Sequence, residues 1–187
     1  GCNAAPPPAP APGRYQSKRI IFVGLDWKRK GGPALLEALG RLRGRHPDAS
    51  LTILGSRPHL KGWGEAVRVL GPVPSEQVGR HLAEAAVFCM PSYREPFGIA
   101  YLEAMQAALP VVAWRLGATP DFVLDERTGY TVPAGDVDAL TDTAMAAGAT
   151  RAAADQDHGF MYVETFYDLD GHHWEFMWMD PSAVAPQ

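Results

Sequence analysis

Short apolar runs alternate with helical stretches along this chain, and that alternation limits its fold more than any other feature. Arg19-Ile20-Ile21-Phe22-Val23 ends on Gly24, Leu51-Thr52-Ile53-Leu54 on Gly55, and Val67-Arg68-Val69-Leu70 on Gly71. Further runs follow at Val87–Met90, Val111–Trp114 and Tyr130–Val132. Such short runs, bounded by turn residues, read as buried parallel strands. Between them, Pro33–Arg45 sets Leu35, Leu36, Leu39 and Leu42 on one helical face, with Pro33 fitted to the first turn. Ser75 is placed to cap a helix running to Ala85. Gly98–Ala108 reads as a helix, and Asp136 caps a last one that fades near Ala147. The pattern predicts an α/β fold, a Rossmann-like doubly wound parallel sheet with right-handed crossovers and helices on both faces. Ligands of such sheets bind beyond the carboxyl ends of the strands. The loops expected there, among them Gly24–Gly32, Gly55–Gly62, Gly71–Ser75 and Pro91–Gly98, are rich in glycine and polar groups.

The divisions of the chain follow from composition. Residues 1–14 are almost all Ala and Pro, which favours an extended linker that builds no core and implies a preceding segment. Residues 15–147 carry the strand–helix alternation, 148–156 read as an alanine-rich linker, 157–181 as a β-hairpin, and 182–187 as a tail. A net charge of −4 gives no electrostatic case for nucleic acid. No apolar run reaches the ~20 residues that span a membrane. Cys2 and Cys89 are too few for a disulfide framework, Cys89 reads as a small core residue, and a cytoplasmic location is expected.

The chemistry concentrates after the fourth run. Val87-Phe88-Cys89-Met90 leads into Pro91-Ser92-Tyr93-Arg94-Glu95-Pro96-Phe97-Gly98, then a helix with Glu103, then Pro110-Val111-Val112. Two carboxylates eight residues apart are thereby set around one helix N-terminus, whose amides and dipole favour an anion. Earlier, Phe22-Val23-Gly24 is followed by Arg29-Lys30-Gly31. Later come His46-Pro47-Asp48-Ala49-Ser50 leading into the second run, Leu70-Gly71-Pro72-Val73, and Gly129-Tyr130-Thr131-Val132-Pro133-Ala134-Gly135-Asp136.

In that order these motifs resemble the C-terminal, donor-binding domain of family-four-type glycosyltransferases of GT-B architecture, over about residues 14–147. The resemblance implies half of a GT-B fold that binds a nucleoside-diphosphate sugar for retaining glycosyl transfer. It implies that Lys30 neutralises the donor diphosphate, that Gly24, Phe97, Gly98 and Ile99 border it, and that Glu103 accepts hydrogen bonds from the ribose. Glu95 holds the donor sugar near the reacting carbon as the catalytic residue, and Gly71 and Val73 line the base through backbone groups. No metal and no further cofactor is implied. The implied partner is an N-terminal acceptor domain, without which the chain is expected to transfer poorly. One position departs from the family: Leu25 stands where a basic residue usually follows the first strand's glycine. Lys28 and Arg29 read as a solvated basic turn, and Trp63 and Trp114 as packing residues. The motifs do not choose among uridine, guanosine and adenosine diphosphates.

The tail reads differently. Phe160–Tyr167 and His172–Met179 flank Asp168-Leu169-Asp170-Gly171, a hairpin signal. It is similar to the last two strands of the glyoxalase/bleomycin-resistance (vicinal-oxygen-chelate) family, in which the Glu175 position commonly supplies a metal ligand. One carboxylate does not make a metal site, and His172 and His173, adjacent on a strand, point to opposite faces. The aromatic-rich hairpin is expected to need a partner surface, self-association included. Three competing readings stand beside the donor domain: a nucleotide-binding module served by a partner, an inert fragment, and a piece of a metalloenzyme.

Overall fold

A computed structural model describes residues 13–125, 127–154, 161–167 and 173–179, with side chains as far as residue 147. The strands are β1 Arg19–Gly24, β2 Ser50–Gly55, β3 Val67–Gly71, β4 Val87–Cys89, β5 Val111–Trp114 and β6 Gly129–Val132. The helices are α1 Gly32–Arg45, α2 Ser75–Glu84, α3 Ile99–Gln106, the short α4 Thr119–Phe122, and α5 Val137–Ala154. The six strands form one sheet in the order β3-β2-β1-β4-β5-β6, every pairing parallel. The chain winds outward from β1 to β3, returns to lay β4 against the other side of β1, and winds outward again. The reversal opens a crevice between the carboxyl ends of β1 and β4, where doubly wound sheets hold ligands.

Burial follows this topology. Every residue of β4 and β5 is buried, as central parallel strands require, whereas the edge strand β3 exposes Arg68 and Val69. Helix α1 presents Leu35, Leu39 and Leu42 to the core and packs along α5, where Arg41 meets Asp138 and Arg45 meets Asp142. Trp114 is fully buried and Trp63 packs against the core, as expected of packing residues. Burial pushes the Cys89 thiol up, which keeps it protonated and inert.

Three local expectations are corrected. Ser75 does not cap α2. Pro74 holds the cap position, its carbonyl accepts from the Gln77 amide at 2.9 Å, and Ser75 is already helical. Helix α5 does not fade near Ala147 but runs to Ala154, because alanine, the strongest helix former, carries it through Gly148. Asp136 does cap it, accepting from the Ala139 amide at 2.9 Å. Arg14 is no linker residue. It opens a 3₁₀ turn, Arg14–Ser17, and is buried beneath the end of α3. Its Nη2 donates to the carbonyls of Ala107 and Ala108, both at 2.7 Å, and Tyr15 OH donates to Ala108 at 2.7 Å. A cation there satisfies orphan carbonyls and the negative end of the helix. Arg14→Ala removes those donors and is expected to cost about 1–3 kcal/mol, read as a lower urea midpoint with an unchanged slope.

Strands β7 Met161–Tyr167 and β8 His173–Met179 pair antiparallel in a second, two-stranded sheet, from Met161 opposite Met179 to Tyr167 opposite His173. The expected hairpin strands are therefore present, with Glu175 opposite Thr165. The 168–172 turn, His172 included, and residues 1–12 lie outside the described residues.

Candidate functional site

Two loops meet at the crevice. The β1 loop, Leu25–Gly31, and the β4 loop, Pro91–Gly98, are tied together through backbone and side chains. The Tyr93 amide donates to the Arg29 carbonyl at 3.0 Å, and Arg29 Nη1 donates to the Arg94 carbonyl at 2.5 Å. Asp26 accepts from the Arg29 amide at 3.1 Å and from its Nε at 3.3 Å. Arg29 is thus not the solvated turn residue that the sequence suggests, but a strap between the loops. Gly31, with φ 79°, carries the tightest contact: a Cβ there would lie 1.8 Å from the Pro91 carbonyl oxygen.

Lys30 and Glu95 span the crevice. The ammonium of Lys30 is ion-paired with Glu95 Oε2, and only 13% and 6% of the two side chains are exposed. The other carboxylate oxygen, Oε1, accepts from the Gly98 amide at 3.1 Å, so Glu95 also caps α3. Gly98 opens α3 with φ 64°, and a Cβ there would lie 2.6 Å from Phe122 Cζ. The next two amides, Ile99 and Ala100, have no protein acceptor among the described residues. One carboxylate therefore joins a cation from one side of the switch point to a helix N-terminus on the other. That Lys30 and Glu95 pair with each other was not legible in the sequence, where they stand 65 residues apart.

Glu103 lies on α3, half-buried, without a hydrogen-bond or ion-pair partner for its side chain among the described residues. Burial raises its carboxyl above the ordinary range, because desolvation penalises the charged form. With the folded pKa raised, the stabilising contribution is complete below the unfolded value and is lost as pH rises through the folded one. Glu103→Gln is therefore expected to raise stability at neutral pH, by less than about 1 kcal/mol for a group that keeps part of its surface in water. Thermal melts should show the gain vanishing in acid, where Glu103 is protonated.

The remaining candidates occupy the rim. Gly24 ends β1, where a Cβ would meet Lys30 Cγ at 3.2 Å. Phe97 and Leu25 are 77% and 78% exposed, and Tyr93, Ile99 and Leu116 are exposed beside them in sequence or on the next strand's loop. Gly71 ends β3 and Val73 follows it, two strands from β1 and so outside the Lys30–Glu95 contact. Gly71 is seated under Arg57: a Cβ there would lie 2.3 Å from Arg57 Nε. Arg57 escapes a motif reading because its neighbour Gly71 is fourteen residues away in sequence. Among the described residues no group of three His, Cys, Asp or Glu side chains is gathered as a metal would need, and no helix is long and apolar enough to cross a membrane.

The chain is similar to known proteins along most of its length. Residues 17–148 match the family described as glycosyl transferases group 1. A GDP-mannose-dependent alpha-(1-6)-phosphatidylinositol monomannoside mannosyltransferase of Mycolicibacterium smegmatis is 40% identical over 144 residues, 67% of this chain and 38% of that protein. A D-inositol 3-phosphate glycosyltransferase of an Arthrobacter species is 34% identical over 176 residues, 82% of this chain and 42% of that one. The chain thus spans about two-fifths of the length of these curated relatives. Among solved structures, TarM superposes with a TM-score of 0.69 at 17% identity, covering 81% of this chain and 32% of that one. The C-terminal domain of a glycosyl transferase group 1 family protein from Francisella tularensis superposes at 0.60 and 20% identity, covering 79% of this chain and 94% of that one. At these identities the structures speak to the fold alone, and the fold they share is the Rossmann-like half of a GT-B glycosyltransferase. By its match over residues 17–148, the chain belongs to the group 1 glycosyl transferases.

Proposed function

We propose that residues 15–147 form the donor-binding half of a retaining glycosyltransferase and hold a nucleoside-diphosphate sugar in the crevice between β1 and β4. The observation that carries this reading is the Lys30–Glu95–Gly98 chain across the switch point, with Glu103, unpaired among the described residues, farther along α3. A diphosphate entering there competes with Glu95 for Lys30 and finds the open amides of Ile99 and Ala100. The departing diphosphate takes the electron pair of the sugar–oxygen bond, and a preorganised cation stabilises that developing charge. Glu95, released from Lys30, is left to accept from sugar hydroxyls. Glu103 accepts from the ribose hydroxyls. Gly71 and Val73 border the base. The acceptor oxygen forms the new bond on the face the diphosphate leaves, and its proton passes to the departing diphosphate oxygen, which holds the electron pair of the broken bond. The name of the Mycolicibacterium relative makes GDP-mannose the donor to test first.

The acceptor side belongs to a second domain. The exposed Leu25, Tyr93, Phe97, Ile99 and Leu116 make an apolar rim of the kind an interdomain contact covers. The chain alone is then a binder and a poor transferase. We take β7–β8 as an appendage to this unit, of vicinal-oxygen-chelate type by its sequence, with no part in the donor site.

Calorimetric titration of the chain with uridine, guanosine and adenosine diphosphates, with Glu103→Ala and Lys30→Ala alongside, tests the reading. Saturable binding lost in both variants supports it. Binding to none by a folded chain sinks it.

A further inference from the structure

The loop that follows β2 is basic. It runs Ser56-Arg57-Pro58-His59-Leu60-Lys61-Gly62-Trp63 and holds no acidic residue. Leu60 and Trp63 pack against the core, while Arg57, His59 and Lys61 alternate outward and are exposed. No hydrogen-bond or ion-pair partner meets any of the three among the described residues. Arg57 differs from the other two in being seated. Its side chain lies over Gly71, so close that an added Cβ would stand 2.3 Å from Nε and 2.8 Å from Cγ. Pro58 disfavours helical backbone at Arg57, the residue before it, which limits where that side chain can go. Gly71, with φ 69°, has a backbone form that favours glycine, and Arg57 fills the space a side chain there would need.

We propose that Arg57 reads the nucleobase of the donor and selects guanine. The inference rests on the donor-site reading, which sets the base at Gly71–Val73. Adjacent strands lie about 4.8 Å apart, so the end of β3 stands roughly 10 Å from the end of β1. That offset suits a base held away from a diphosphate at Lys30. A guanidinium offers only donors, in a planar fork. Guanine presents two acceptors on one edge, O6 and N7, and takes both arms of the fork. Adenine presents N7 beside an amino donor, which meets the fork with like polarity. Uracil presents a single acceptor, O4, on the corresponding edge. The resulting order is guanosine over uridine over adenosine diphosphate. Backbone groups alone at Gly71 and Val73 would not produce it.

The test is titration of wild type, Arg57→Ala and Arg57→Lys with guanosine, uridine and adenosine diphosphates, and with pyrophosphate as a baseless control. The wild type should bind guanosine diphosphate roughly five- to a hundred-fold more tightly than adenosine diphosphate, the worth of one bidentate contact. Arg57→Ala should remove that preference, lowering guanosine diphosphate affinity, leaving pyrophosphate affinity unchanged and adenosine diphosphate affinity no lower. Arg57→Lys, which keeps the charge without the fork, should also lose most of it. An equal loss for all ligands, pyrophosphate included, would make Arg57 a general electrostatic contributor and overturn the proposal. So would an unchanged preference in Arg57→Ala. A wild type that binds another base best overturns it and leaves the donor site standing. A wild type that binds no nucleotide overturns both.

Discussion

Replacing Gly31 by alanine is expected to cost about 2–5 kcal/mol and to abolish nucleotide binding. Two penalties combine. At φ 79° an L side chain is strained by about 1–2 kcal/mol. The new methyl also has nowhere to go, 1.8 Å from the Pro91 carbonyl oxygen and 2.6 Å from the carbon behind it. Backbone cannot swing aside as a side-chain tip can, so the β1 and β4 loops must part, an overpacking cost of about 1–3 kcal/mol. Parting them breaks the Tyr93–Arg29 hydrogen bond and draws Lys30 away from Glu95. Gly62 supplies the control: its φ is 82°, but nothing lies within 4 Å of an added Cβ. Gly62→Ala should therefore lose only the strain. Urea denaturation of the two variants separates the contributions, and equal losses would mean that the loops do not meet as described.

Glu95→Gln should bind nucleoside diphosphate more tightly than the wild type, by about tenfold, which is 1.4 kcal/mol. The ion pair with Glu95 occupies Lys30, and its side chains are nearly buried. Removing one charge of such a pair leaves the other uncompensated. Without nucleotide, Glu95→Gln should then be the less stable protein. A diphosphate restores the missing charge, so the ligand should raise the melting temperature of this variant more than that of the wild type. The amide oxygen of glutamine can still accept from Gly98, which leaves α3 capped. Lys30→Ala should do the reverse and lower affinity. A Lys30→Met/Glu95→Gln double variant should regain stability relative to either single change, since the two residues share one interaction. Equal weakening of nucleotide binding in both single variants would mean that Glu95 helps to hold the nucleotide instead of competing with it.

How much of this was legible in the sequence varies from residue to residue. The strand and helix types were, because each apolar run is short, punctuated by glycine and separated by a helical period. That information is local. So was the cap at Asp136, where a side chain reaches an amide three residues on. The cap at Ser75 was misread for a reason equally local: Pro74, with φ −55° and ψ 143°, starts the helix one residue before a serine hydroxyl could serve. Arg14 was misread because a proline-rich stretch precedes it. Its acceptors, Ala107 and Ala108, are more than ninety residues away.

The candidate site divides in the same way. Its residue types were legible, since two acids eight apart around a helix start, with a lysine in the first loop, form a pattern that the chain itself displays. Their partnerships were not. Glu95 reads as a residue facing a sugar, yet in the folded chain it holds Lys30 and caps α3 at once. Arg29 reads as solvated, yet it straps two loops together. Arg57 carries no motif, yet it is seated on Gly71. The sequence by itself determined the alternation of strands and helices and with it the α/β class, because alternating period and glycine punctuation act within a few residues. Only the tertiary structure decided which charges neutralise one another and which stay open to a ligand. Those pairings depend on the sheet order that brings β1 beside β4 and β2 beside β3, and short-range pattern carries no record of it.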